Sequence, residues 1–283
     1  MKIAFTKMHG IGNDFIVIDC RDKILNSRLS GRNSQTSDLS ALSRRLCDRR
    51  FGIGADQILL LEASATADFA MKIFNADGSE VEMCGNGIRC LAKYIWDRGL
   101  SEKAILAIET PAGIIRPERA GEMVRVDMGE PVLEGRMIPA ALDGRITDMA
   151  LRADDREFKI TCVSMGNPHA VIVVDDVDAF DVHRYGPVIE QHPFFPKRVN
   201  VEFIQVLGPE SIRMRVWERG SGETLACGTG ASAVGVAANI LGLTEKKTTV
   251  HLRGGDLLIE WAGNNHVYMT GPAVDVFEGL VRI

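Results

Sequence analysis

The chain has 283 residues, enough to bury the cores of two domains of ordinary size, and its 46% hydrophobic and 25% charged residues are ordinary for a globular protein. A formal net charge of −5 argues against a basic nucleic-acid surface. No apolar run approaches the roughly 20 residues of a membrane span. The segment Lys2-Ile3-Ala4-Phe5-Thr6-Lys7 lacks the apolar stretch of a signal peptide, so a cytoplasmic protein is expected, with neither nucleic acid nor membrane as partner.

In chain order, runs rich in Ile, Val and Phe predict strands at 3–8, 14–19, 57–62, 68–74, 104–109 and 122–128. Residues 26–40, rich in Ser, Asn and Arg, read as a solvated loop or helix entrance. A helix is predicted over 85–98, with Ile88, Leu91, Ala92 and Ile95 on one face and Gly99 at its end. Met128-Gly129-Glu130-Pro131 reads as a hinge. Beyond it, strands are expected near 158–164, 169–175, 199–206, 211–217, 248–253 and 256–261. A second helix over 228–241 carries Ala231, Val234, Ala238 and Leu241 and stops at Gly242.

Two stretches carry the same signature, about half the chain apart: Met83-Cys84-Gly85-Asn86-Gly87 and Ala226-Cys227-Gly228-Thr229-Gly230. The register extends backwards, with Phe74 matching Trp217, Asn75 matching Glu218 and Glu80 matching Glu223. A second echo pairs Gly12-Asn13 before the strand at Phe15 with Gly166-Asn167 before the strand at His169, at a slightly different offset. Duplication explains both. The expected architecture is α+β, with two pseudo-symmetric domains, residues 1–128 plus 272–283 and residues 129–271. Each is a curved, mostly antiparallel sheet around a central helix, with the active site in the cleft between them.

The six cysteines show no paired CxxC spacing, so neither zinc nor a disulfide framework is expected. Cys20, Cys47, Cys90 and Cys162 sit in or beside apolar or periodic segments and read as small core residues. Cys84 and Cys227 differ, because each opens a glycine turn at a helix entrance. Unpaired amides and the helix dipole there favour a bound carboxylate. The same position is expected to lower a thiol from about 8.5 by roughly 1 to 5 units. Two matched thiols suit a reaction with two faces: one removes a proton from a carbon while the other returns one, with no cofactor and no metal.

These residues resemble the diaminopimelate epimerase family. The resemblance is carried by Lys7-Met8-His9-Gly10-Ile11-Gly12-Asn13-Asp14-Phe15, Gly52-Ile53-Gly54-Ala55-Asp56-Gln57 and Phe74-Asn75-Ala76-Asp77-Gly78-Ser79. It continues through Thr110-Pro111-Ala112-Gly113, Gly166-Asn167-Pro168-His169, Val199-Asn200-Val201-Glu202, Trp217-Glu218-Arg219-Gly220 and both cysteine turns. It implies catalysis by Cys84 and Cys227. It also implies substrate contacts at Asn13, Gln57, Asn75, Gly85, Asn86, Asn167, Asn200, Glu218, Arg219, Gly228 and Thr229. His169 and Glu218 would orient the thiols or tune their pKa values. Arg219 suits a distal carboxylate and Glu218 an ammonium group. The implied activity is interconversion of LL- and meso-2,6-diaminopimelate, in lysine and peptidoglycan precursor synthesis, by a cofactor-independent homodimer. The rivals are a proline or hydroxyproline racemase-type enzyme, which usually shows histidine where Asn86 stands, and a non-catalytic small-molecule binding protein.

Overall fold

The computed structural model describes residues 2–22 and 37–282. The chain divides into two compact units, Met1–Val126 with Gly271–Ile283, and Asp127–Thr270. In the first unit, β1 (Lys2–Gly10) turns through Ile11 and Gly12, both at positive φ, into antiparallel β2 (Asn13–Asp19). Helix α1 (Ser37–Cys47) then leads to β3 (Gln57–Glu62), which runs parallel to β2 with Phe15 opposite Gln57 and Val17 opposite Leu59. β4 (Phe69–Asn75) pairs antiparallel with β3 and folds back as the short β5 (Glu80–Val81), which delivers the chain to helix α2 (Gly85–Asp97). The strands β6 (Ile108–Thr110), β7 (Gly113–Ile115), β8 (Glu118–Ala120) and β9 (Met123–Asp127) follow. The expected strand over 104–109 is shortened, because Ile105 makes only an isolated bridge to Glu118 and the ladder starts at Ile108.

The second unit repeats this core on a larger sheet. β10 (Met149–Ala153), β11 (Arg156–Ser164) and β12 (Pro168–Val173) form an antiparallel run. Helix α3 (Val182–Glu190) leads to β13 (Asn200–Gly208), which runs parallel to β12 with His169 opposite Asn200 and Val171 opposite Glu202. β14 (Ser211–Glu218) and the short β15 (Gly222–Thr224) form the hairpin before helix α4 (Gly228–Ile240). β16 (Lys247–Leu252), β17 (Gly255–Trp261) and β18 (Val267–Gly271) complete the path. The final strand, β19 (Val274–Arg282), belongs to the first unit and pairs antiparallel with β1 from Lys2–Arg282 to His9–Val274. The first sheet thus reads β19-β1-β2-β3-β4-β6-β7, with β5 attached to β4.

The two sheets therefore contain the same parallel pair, β2–β3 and β12–β13, within mostly antiparallel surroundings. Matching the registers aligns Phe15 with His169, Gln57 with Asn200 and Leu59 with Glu202.

Each sheet supports one buried helix. Helix α2 buries Ile88, Leu91, Ala92 and Ile95, which contribute about 1.5–3 kcal/mol for each fully buried large side chain. Helix α4 is made of smaller residues and packs tightly on its sheet: a methyl group on Gly235 would stand 2.7 Å from Ile259 Cγ2. Both helices end alike. Gly99 N and Leu100 N donate to Trp96 O and Ile95 O, as Gly242 N and Leu243 N donate to Asn239 O and Ala238 O. The two glycines have φ of 64° and 71°, the left-handed cap that a Cβ would strain.

Two further helices, α1 and α3, are not among those the periodicity predicts. Helix α1 occupies part of the serine-rich segment, with Leu39 and Leu46 buried in the first core; the rest of that segment, up to residue 36, lies outside the described residues. Helix α3 contains Gly186 and Pro187. The glycine is required by packing, since a Cβ there would stand 2.6 Å from Trp217 Cγ. No helix among the described residues is long and apolar enough to cross a membrane.

Candidate active site

Each cysteine turn is built by the same local chemistry. Cys84 has φ −138° and ψ 116°, caps α2, and accepts from Gly87 N at 3.4 Å. Cys227 has φ −134° and ψ 108°, caps α4, and accepts from Gly230 N at 3.3 Å. A sulfur thus occupies the place of a capping oxygen and takes up one of the orphan amides of the first helical turn. The four remaining cysteines, Cys20, Cys47, Cys90 and Cys162, are buried core residues.

Around Cys84 the polar groups are amides. The thiol donates to Asn13 Oδ1 at 3.7 Å, and Asn86 Nδ2 donates to the same oxygen at 3.3 Å. Asn13 is held from behind, its Nδ2 donating to Asp56 Oδ2 at 2.9 Å. Asp56 is fixed in turn by Arg49, which also grips Asp14. Lys7 and Arg49 together hold the Asp14 carboxyl well below the usual carboxylate range despite its partial burial. Gln57 Nε2 donates to Asn75 Oδ1 at 2.8 Å across β3 and β4, and Asn75 Nδ2 donates to Ser79 Oγ. Gln57 Oε1 and Asn86 Oδ1 are buried with no hydrogen-bond partner among the described residues. Open acceptors of this kind suit a substrate ammonium group. Beneath the turn, fully buried Arg89 donates from Nη1 to Gly85 O at 3.2 Å and from Nε to Pro272 O.

The surroundings of Cys227 are ionisable. Glu218 ends β14, and its Oε1 accepts from Thr224 Oγ1 at 2.5 Å. Burial is the main cause pushing the Glu218 carboxyl upward. Thr229 Oγ1 lies 3.6 Å from Cys227 Sγ. His169 is fully buried: its Nδ1 donates to Glu202 Oε1 at 2.7 Å, and its Nε2 lies 2.9 Å from Asn167 Oδ1. The place beneath the turn taken by Arg89 in the first unit is filled by Ser232, whose Oγ donates to Gly228 O at 2.9 Å. Asn200 serves the backbone with both ends, giving Nδ2 to Pro168 O and taking Arg219 N on Oδ1. Arg219 itself is exposed and donates to Lys197 O.

Contrary to the sequence expectation, the helix entrance does not lower the Cys227 thiol. Burial, then the charges of Glu218 and Glu202, push it well above its ordinary value, outweighing the hydrogen bonds from Thr229 and Gly230.

The sequence alone assigns no role to Glu202, Asp56 or Arg89. For Glu202 a signal existed: a carboxylate inside the otherwise apolar strand Val201–Ile204 is rarely buried without a partner. The partner, His169, becomes visible only once β12 and β13 are paired. Among the described residues, no group of three or more His, Cys, Asp or Glu side chains could hold a metal ion.

A family profile described as diaminopimelate epimerase matches residues 5–134 and 161–276. The chain belongs to the diaminopimelate epimerase family. The chain is 51% identical to the diaminopimelate epimerase of Acetivibrio thermocellus over 289 aligned positions, covering 99% of each. Among solved structures, the phenazine biosynthesis protein of the PhzF family from Bacillus anthracis superposes with a TM-score of 0.71 over 100% of both chains at 19% identity. A probable proline racemase from Agrobacterium radiobacter K84 gives 0.67 over 99% of this chain and 92% of that one, at 18% identity. These two likenesses show a shared fold, whereas membership of the epimerase family rests on sequence along nearly the whole chain.

Proposed function

We propose that the protein interconverts LL- and meso-2,6-diaminopimelate by a two-thiol mechanism. Its family carries this reaction, and the observation that supports the mechanism is the matched pair of helix-capping cysteines. In one direction a thiolate takes the α-hydrogen as a proton, breaking the C–H bond and leaving its electron pair on the carbon. The amides of Gly85 and Asn86, and of Gly228 and Thr229, stabilise the charge that flows onto the α-carboxylate. The opposite thiol then gives its proton to the other face, becoming the thiolate of the reverse reaction. Both sulfurs must therefore reach one carbon from opposite sides. The site provides bases, acids and anion-binding amides from the chain itself, so the reaction is written without a cofactor.

Asn13, Gln57, Asn75, Asn86, Asn167, Asn200, Glu218 and Arg219 are assigned to substrate binding, and His169 with Glu218 to tuning or orienting Cys227. The open acceptors Gln57 Oε1 and Asn86 Oδ1 support an ammonium contact. Product feeds lysine and peptidoglycan precursor synthesis, in the cytoplasm. A homodimer is part of the reading: edge strand β19 exposes Val276, Phe277 and Leu280, apolar surface that a second copy would cover.

Incubation with LL-diaminopimelate in deuterated water, followed by chiral analysis, tests the assignment. The meso isomer carrying one deuterium at the inverted carbon is expected. Absence of both inversion and exchange would reduce the protein to a binder, and comparable turnover of proline would move it to the racemase branch.

A further inference from the structure

Glu202 is a charged residue that this mechanism leaves unused. It lies within β13, is fully buried, and accepts from His169 Nδ1 at 2.7 Å, while His169 Nε2 meets Asn167 Oδ1 at 2.9 Å. Three side chains thus run in file from the sheet core to a residue assigned to substrate. The second carboxylate oxygen, Oε2, has no hydrogen-bond partner among the described residues. A buried carboxylate with an idle oxygen is a costly way to fill a core position. The first unit fills the register-matched positions with Leu59 and Phe15, and its sheet forms the same strand pairing. The sheet therefore needs neither Glu202 nor His169, and the pair's role lies in the site it adjoins. Glu202 also borders the cysteine turn: a methyl group on Gly230 would stand 2.8 Å from Glu202 Oε1 and 3.1 Å from Cys227 Sγ. The other ionisable groups that interact with it are Cys162 from β11, Glu218 from β14 and Cys227 at the entrance of α4.

We propose that Glu202 is a positioning residue of the Cys227 half-site: it acts on catalysis through His169, whose ring it pins by Nδ1 so that Nε2 meets Asn167. An imidazole with one nitrogen anchored to a carboxylate has a fixed tautomer and ring orientation, which is how outer partners govern functional histidines elsewhere. The inference rests on the epimerase reading, in which Asn167 touches substrate.

A double-mutant cycle separates action through His169 from independent effects. Glu202→Leu is expected to lower kcat/KM for diaminopimelate by about 10- to 100-fold, the usual cost of losing such an outer partner. In a His169→Phe background, which completes the Phe and Leu pair of the first unit, the same change should lower it by less than about twofold. An undiminished loss in that background, or no loss from Glu202→Leu alone, overturns the proposal. Should the leucine variants fail to fold, 15N NMR of the wild-type His169 ring carries the test: a hydrogen on Nδ1 is required, and a bare Nδ1 refutes it. The NMR measurement needs no substrate. Failure of wild-type protein to epimerise diaminopimelate would count against the function while leaving the ring geometry to be judged separately.

Discussion

The two half-sites share a backbone and differ in what surrounds it. In both, a cysteine caps a helix, accepts from the amide three residues on, and follows a two-strand hairpin. Cys84, partly exposed, faces amides, with a buried guanidinium one turn below. Cys227, buried, faces Glu218 and sits against Glu202, with a serine at the matching place. The matched asparagines have different neighbours. Asn13 is anchored by its NH2 on Asp56 and turns its oxygen to the thiol, whereas Asn167 lies against His169 Nε2. Duplication supplied the turn, and divergence of neighbouring side chains gave the two thiols different surroundings. A reaction that inverts a carbon needs matched placement on both faces, but it does not need matched neighbours.

The strongest way to break this comparison is to remove each thiol. Cys84→Ala and Cys227→Ala should each lower kcat by about 10²–10⁴-fold, the usual worth of one acid–base group. A variant that keeps full activity would leave a one-thiol mechanism. Alkylation sharpens the contrast at smaller scale. With iodoacetamide at pH 7, Cys84 should react at least about tenfold faster than Cys227, because only thiolate reacts and Cys227 is both buried and raised. As pH rises the Cys227 rate should grow about tenfold per unit, since its thiolate is the minor form until the raised value is passed. Peptide mass spectrometry reads both sites in one sample, and equal rates would refute the inequality.

The smallest effect concerns the glycines three residues into each turn. Gly230→Ala puts a methyl group 2.8 Å from Glu202 Oε1, whereas Gly87→Ala meets Leu59 Cδ2 at 3.2 Å. The first should cost about 1–3 kcal/mol of stability by overpacking. The second should stay within about 1 kcal/mol, because alanine's helix propensity offsets the crowding. Chemical denaturation distinguishes them, and a reversed order would mean that the two turns are packed differently from this description.

Much of this arrangement was legible in the chain. The helices over 85–98 and 228–241 and their glycine ends follow from periodicity and turn residues, because these are local signals. The start of helix α1 falls in the segment that reads as a solvated loop or helix entrance, but its length is hidden because serines and arginines outnumber Leu39, Leu42 and Leu46, the side chains that dock it. Helix α3 was missed because Gly186 and Pro187 look like breakers, when Gly186 is a seat for Trp217. Glu190, at the end of that helix, then takes Trp217 Nε1 and Gly220 N, fixing the corner that carries Glu218 and Arg219. Neither the His169–Glu202 pair nor the raised Cys227 thiol could be foreseen, since both depend on residues far apart in sequence.

The return of β19 to β1 sets an order on assembly. Residues 127–270 form an uninterrupted unit, whereas the earlier unit draws its outer strand from residues made after them. On a ribosome, the later half of the duplication can complete its sheet while the earlier half still waits for a neighbour to β1. Until residues 274–282 emerge, β1 presents an open row of amides and carbonyls, the kind of edge that recruits other chains. The Cys227 half-site is therefore the first of the two whose supporting sheet can be finished during synthesis.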